Sequence, residues 1–583
     1  MPDSSQVQPV AFNCDGGLIL NRSTFLMQPG EALVLENFEP DVEGGYRRIN
    51  GYRKFINHIV PQTSSAAEKI IGVATFGNKV LACRGEKIFS GASTELALAI
   101  GASSSMTGSG IIKVDSVLGF PTSGNLQIVN EIFTYTGVSS TSTPNEFTGV
   151  TRSTSGTTAA THVINISVSS DWTEVDTGRT NAVKYRKERF NYDGNEKIIF
   201  VDETNAPVIF NLAISATDVS ESAVAGSKFV ASYKSHMFYA GKSTTPEELV
   251  FSEPFNEDGF QAGNGAGSIR VDDTITGLKV FREALFIFCE NRIFKLTGNT
   301  LADFVIAPVT RSIGCINGDT IQEFGGDLIF LGPDGLRTVA ATAKIGDVEL
   351  GTISKSVQGI FDKNIKDSAL FESVVIADKT QYRIFFTKDG QSDGITRGII
   401  CVQKESGFEF SEMRGIKPTS TDTFVRAGDV LVLHGDFTGF IHRQEKGNTF
   451  DGVPILGRYR SPDLPFGDTG IRKHMQKVII NYKPESAIDA ELVVRYDNED
   501  ANSTRPAPYS LDSSLVAAQF GTALFSSAGG EVRFVLGGPS QPLVRQSVEG
   551  SGFSVVLRIN DGGESAPYSL KGFQLEYTLG ARR

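Results

Sequence analysis

A strand–turn–strand unit recurs along the middle of this chain at a spacing that few folds accommodate. Each copy is an apolar run, a turn with Gly, Asn or Asp, and a second run of strand-like composition. Residues 80–90 (VLACRGEKIFS), 285–295 (LFIFCENRIFK) and 328–339 (LIFLGPDGLRTV) are examples. Similar units begin near Ile198, Met237, Tyr382 and Leu431, and from Ile198 onward the starts lie 39 to 54 residues apart. Four-stranded propeller blades repeat at roughly 40–50 residues. The pattern predicts an all-β chain built on a β-propeller of about six or seven blades.

The interval from Val80 to Ile198 is 118 residues, too long for one blade. It holds two β-rich runs, IIKVDSVLGFP and LQIVNEIFTYTGV, followed by FTGVTRSTSGTTAATHV. Residues 108–168 therefore read as a small β-domain inserted into a blade connection, where added chain costs little closure entropy. Beyond 451 the strands become well separated, as in KVIINY, AELVVRY, EVRFVL (531–536) and FSVVLRI, which suggests an antiparallel sandwich. The expected division is an N-terminal arm or platform segment (1–65), a first part of the propeller (66–107), the insertion (108–168), the rest of the propeller (169–450) and a C-terminal sandwich or platform domain (451–583). Helical periodicity is scarce. Residues 354–365 are the best candidate, with Ser354 as N-cap.

Charge and chemistry narrow the function. A formal net charge of −12 argues against a nucleic-acid grip, which needs a basic face, but suits a wall that repels phosphates. The five cysteines show no C-x-x-C, and Cys83, Cys289 and Cys401 lie in apolar runs, so buried thiols are expected. The N-terminus has no basic n-region and no apolar h-region, and no run is long enough for a membrane span. Synthesis in the host cytoplasm without an anchor is the expectation. No cofactor and no metal is expected. His434 and His442 flank Asp436, but Gly435 and Gly439 break that segment into a hairpin. The glycines Gly263, Gly265 and Gly267 lack phosphate-loop spacing and read as a flexible loop. The acidic pairs Asp272-Asp273 and Glu247-Glu248 could imitate glycosidase machinery, yet with one Trp in the chain they read as solvated turn carboxylates. Asp334-Gly335 and Asp389-Gly390 read as hairpin turns.

Near the N-terminus, residues 37–55 (NFEPDVEGGYRRINGYRKF) set Arg47, Arg48, Arg53 and Lys54 beside Tyr46 and Tyr52, around a Gly44-Gly45 turn. With residues 131–163 (EIFTYTGV to THV), 460–473 (RSPDLPFGDTGIRK) and the closing VEGSGFSVVLRI and GFQLEYTLGARR, this resembles the tail nozzle, or packaged-DNA stabilisation, proteins of short-tailed bacteriophages. Ser153 and Ser155 stand where more Gly would be expected.

The resemblance implies a non-enzymatic virion protein forming a homo-hexameric ring below the portal and its adaptor ring. Such a ring extends the channel for genomic DNA and gives tail fibres a docking surface. Asn37, Phe38, Tyr46, Arg47, Arg48, Tyr52, Arg53, Arg472 and Lys473 are the subunit-interface candidates, since Arg and Tyr are favoured anchors. Gly263, Gly265 and Gly267 are gate-loop candidates. The rival readings are a propeller-fold carbohydrate-active enzyme or lectin for the host envelope, and a receptor-binding fibre component.

Overall fold

The computed structural model describes the chain apart from residues 1–5, 64–67, 104–105, 181, 341–350, 389–396, 406, 427–428, 486–487, 512–542, 565 and 583. The expected strand at 531–536 and the Asp389-Gly390 turn lie outside the described residues.

The repeated unit folds as antiparallel meanders. The first sheet holds Ile70–Phe76, Lys79–Arg84, Lys87–Gly91 and Thr173–Asp176, the second Arg186–Phe190, Lys197–Val201, Val208–Asn211 and Ala216–Asp218. A third sheet runs from Phe229–Tyr233 to Gly267–Arg270 and a fourth from Ile275–Phe281 to Val305–Thr310. A fifth joins Gln322–Phe324, Asp327–Gly332 and Gly335–Thr338. The next meander is Ser368–Ile376, Gln381–Lys388, Arg397–Lys404 and Gly407–Arg414. The last is Ser420–Arg426, Asp429–Gly435 and Ile441–Gln444, completed by Tyr52–Lys54 from the N-terminal region.

The ring closes where the last sheet meets the first. Val73 N–H donates to Ser420 Oγ at 3.1 Å, and Thr75 N–H donates to Asp422 Oδ2 at 2.7 Å. Beneath these bonds Ile70, Val73 and Val80 share a buried core with Leu431 and Leu433. Successive meanders joined innermost strand to innermost strand make this a β-propeller.

The insertion interrupts the first sheet between its third and fourth strands. It builds its own sheets from Gly124–Ile128, Glu131–Tyr135, Ser167–Ser170 and Ser93–Glu95, and from Gly110–Val114, Asn145–Val150 and Gly137–Ser139. Leu126, Phe133, Tyr135, Phe147 and Val168 lie in a separate core. Its strands begin at Ser93 and end at Ser170, outside the expected 108–168, because Ser93–Glu95 pairs with Ser167–Ser169. The low-complexity composition of the chain after residue 91 hid that short strand.

Residues 6–54 are woven into the molecule and do not form a projecting arm. Gln8–Asn13 pairs with the C-terminal strand Tyr568–Arg582, and the hairpin Phe38–Pro40/Tyr46–Arg48 pairs with the same strand. Gly44 and Gly45 supply the predicted turn with φ of 83° and 93°. A Cβ on Gly45 would stand 2.5 Å from the Leu570 carbonyl oxygen, so only glycine fits.

Val34–Glu36 bridges the Gly407–Arg414 blade strand to Gly457–Arg460, so one sheet runs from a blade into the C-terminal strands Val555–Asp561 and Ala490–Tyr496. That sheet and the one built on Ile471–Pro484 and Tyr568–Arg582 share a single core, including Tyr46, Tyr459, Val478, Leu557 and Phe573. Thr449–Phe450 and Val453–Pro454 belong to the last blade's sheet, so the C-terminal strands begin at Gly457 and not at 451.

The expected helix is present as Gln358–Asp367, after a short turn at Lys355–Val357. Ser354 does not cap it. Its Oγ accepts the Leu336 N–H at 3.0 Å and ties the helix to a blade strand. All five cysteines are buried free thiols, as their apolar strands predict. Among the described residues no helix is long and apolar enough to cross a membrane.

Candidate functional site

The innermost strands enclose a channel of about 330 Å³ lined by charge. Its hub is the run KYRKERF, ending in the second sheet's inner strand. Lys184 Nζ bonds Asp319 Oδ2 at 2.8 Å and also meets Glu372. Arg186 forks onto Asp319 through Nε and Nη2 at 2.8 and 2.9 Å, and reaches Glu203 at 2.7 Å. Lys187 and Arg189 converge on Asp422 at 3.0 and 2.8 Å. One strand thus pins carboxylates from three other sheets, two of them not its neighbours.

A turn presents Asp319: the Asn317 side chain accepts the Asp319 N–H at 2.8 Å. Burial would raise this carboxyl, but Arg186 and Lys184 hold it well below the usual carboxylate range. Burial pushes Glu372 up. Asp422 is held down against burial by Lys187, Arg189 and the Thr75 donors. The arrangement fastens strands together, since each carboxylate already holds its cations. Sequence reading missed it. The available signal was charge at 184, 186 and 188, one face of a strand that a propeller places innermost.

The residues 37–55 form a second network, inside the molecule. Glu39 takes Arg47 at 3.1 Å, Lys379 at 2.7 Å and Arg383 at 3.1 Å. Glu445 of the last blade takes Arg383 at 2.7 Å and also Lys379. Arg47 continues to Glu485 at 2.7 Å and Arg48 to Asp561 at 3.2 Å. These pairs bind propeller blades to the C-terminal sheets.

As interface candidates, Asn37, Phe38, Tyr46, Arg48 and Lys473 are corrected: each is buried within its own chain. Asn37 bonds Leu456 O and the Arg414 N–H, while Lys473 Nζ bonds Asp468 O and Phe553 O. The aromatic and basic character that reads as a docking surface here fills a junction between domains. Arg47, Tyr52, Arg53 and Arg472 keep partial exposure. Tyr52 stacks on Phe450 at 5.2 Å, and Arg472 lies over Phe553 at 5.0 Å.

The inserted module has its own polar centre. Glu131 is 1% exposed and accepts from Arg152 Nε and Nη2 at 2.9 and 2.8 Å, Ala160 N–H at 2.9 Å, Ser153 Oγ at 3.1 Å and His162 at 2.8 Å. Ser153 and Ser155 both have φ of 54°, the left-handed backbone that explains the expectation of glycine there. Burial raises the Glu131 carboxyl, yet these donors bring it to about 2 from an ordinary 4.5. A depressed folded pKa gives stability that is present above the ordinary value and lost as pH falls toward the folded one. Hydrogen-exchange protection at Phe133 and Phe147 should therefore fall between about pH 4.5 and about pH 2. Glu131→Gln should lose protection already at neutral pH and flatten that dependence.

The remaining candidates sit in structural roles. Ala262–Asn264 forms a short 3-10 turn, Gly265 has φ of 98°, and Gly267 begins the outermost strand of its sheet against Phe251. The gate-loop segment therefore leads to a rim strand and does not line the propeller channel. Asp272 pairs with Arg292, and Asp273 accepts the Thr274 and Asn291 N–H groups at 2.9 and 2.8 Å. Glu247 and Glu248 face Arg270 at 3.7 and 3.6 Å. His434 and His442 are cross-strand partners with rings 5.0 Å apart, and burial beside His442 keeps His434 well below its ordinary pKa. Among the described residues no group of three or more His, Cys, Asp or Glu could hold a metal ion.

No family model and no curated protein matches the sequence. Solved structures that align with it include the C-terminal WD40 domain of Sif2, at 12% identity and a TM-score of 0.30 over 68% of this chain and 99% of that one. Hsv2p of Kluyveromyces lactis aligns at 7% identity and 0.26, over 60% and 98%. Raptor of Chaetomium thermophilum aligns at 9% and 0.30, over 68% and 29%. The propeller assignment rests on the strand pairing within this chain, and these proteins' activities do not transfer to it.

Proposed function

We propose that this chain is a structural ring subunit of a short-tailed phage tail nozzle, built on a seven-bladed propeller fused to a sandwich-like platform. The observation that carries this reading is where the resembling segments fall. Residues 37–55 run from platform to closing blade, residues 131–163 hold the inserted module's polar centre, and the C-terminal run spans the platform. Each secures a junction between parts, as a stiff assembly unit requires. In this reading six copies form a closed, heterologous ring beneath an adaptor ring in the virion. Tail fibres dock outside, and genomic DNA slides through a lumen that the net charge of −12 keeps from adhering. The work is shape and assembly, with no catalytic step.

Native mass spectrometry of the purified chain, alone and with an adaptor ring, tests it. Hexamers, or six copies on the adaptor, are the expected result. A chain that stays monomeric with the adaptor present sinks the proposal, and a trimer replaces it with the fibre reading. Turnover of host-surface polysaccharide, abolished by Asp272→Asn with Asp273→Asn, would replace it with the enzyme reading.

A further inference from the structure

The basic cluster of residues 47–54 divides in the fold. Arg47 and Arg48 enter the junction network, whereas Arg53 and Lys54 turn to the other side of the closing blade. There they meet Arg443 and Lys446 over a cleft of about 420 Å³ between the propeller and the inserted module. Two carboxylates, Glu95 and Asp115, face these four cations.

The balance inside the cleft is uneven. Arg53 Nη2 and Arg443 Nη1 both address the single oxygen Glu95 Oε1, at 2.7 and 3.0 Å. Lys446 Nζ stands 3.6 Å from the same atom, beyond hydrogen-bond reach. Lys54 Nζ has a long ion pair to Asp451 at 3.5 Å and lies 4.3 Å over the Phe440 ring. Three cations thus share one carboxylate oxygen, and both ammonium groups are a third exposed to the cleft's solvent. In a chain whose overall charge is −12, this local excess of cations is a departure that structural pairing leaves unexplained. Ser93, Ser116 and Ser167 add hydroxyl groups to the wall. Charge-assisted donors around a solvent-filled cleft suit an oxyanion.

We propose that this cleft binds an oxyanion, a phosphate or carboxylate group, with Lys446, Lys54 and Arg53 as its donors and Glu95 as the internal group it competes with. The site is independent of the nozzle reading, because it needs only the seam between module and blade.

Calorimetric titration of the full chain at low ionic strength tests it, with inorganic phosphate in one arm and glucuronate in the other. At least one should bind saturably with a Kd of about 1 mM or tighter. Lys54→Ala combined with Lys446→Ala should weaken that binding about tenfold or more, at an unchanged melting temperature, because both ammonium groups are partly exposed. Glu95→Gln should tighten it, since the competing carboxylate is neutralised. The arm that responds identifies the oxyanion. No saturable binding of either anion overturns the proposal. So does binding that the double variant leaves unchanged, or binding that Glu95→Gln weakens in a chain that still melts as the wild type does.

Discussion

Arg48→Ala should destabilise the junction between propeller and platform by about 3–5 kcal/mol, the usual effect of removing one partner from a buried ion pair. Arg48 is fully buried, its Nε is 3.2 Å from Asp561, and its Nη2 bonds Gly563 O at 2.8 Å. Asp561 is 3% exposed, and burial already pushes its carboxyl up. Without the guanidinium it must stay charged in a poor medium or take up a proton, and the Gly563 carbonyl loses a donor. Urea denaturation followed by limited proteolysis of the C-terminal strands measures the effect. The paired variant Arg48→Met with Asp561→Leu should recover most of the loss, since it strands no charge. A single-variant effect below about 1 kcal/mol would show that the pair is not seated as described.

Asp422→Ala should open the ring at its closure, again at a cost of about 3–5 kcal/mol. One carboxylate there accepts the Thr75 N–H and hydroxyl at 2.7 and 2.8 Å and holds both Lys187 and Arg189. Its removal strands two cations in the channel and a backbone donor of the first blade. The loss should be local: hydrogen exchange should quicken in Ile70–Phe76 and Ser420–Arg426, while Ile471–Pro484 keeps its protection. Uniform loss across the chain, or none at the two closing strands, would contradict the described closure. The folded carboxyl is held low, so the contribution is present at neutral pH and is lost in acid, as pH falls below the ordinary carboxylate value.

The propeller was legible because each blade's hairpins are local. Apolar runs such as 285–295, split by a turn, need no distant partner to be recognised. The insertion was legible as an excess of length, but its edges were not, since Ser93–Glu95 becomes a strand only by pairing with residues more than 70 positions away. The junction was misread for a related reason. Arg, Tyr and Phe at 38–53 have the composition of a docking surface. Nothing local says that Tyr568–Arg582 and the blade at Arg383 will arrive to cover them. The channel network was invisible for want of partners: Lys184, Asp319, Glu372 and Asp422 span over 200 residues and meet only when the ring closes.

The N-terminal strand that completes the final blade sets an order on biosynthesis. Tyr52–Lys54 leaves the ribosome early and waits for Ile441–Gln444, while Gln8–Asn13 waits for the last residues translated. Until then the nascent chain carries unfinished sheet edges that invite wrong pairing. A premature stop that removes only the final fifteen residues takes away the partner of three separate strands, so such a product should be recovered as aggregate instead of as a shortened, soluble propeller.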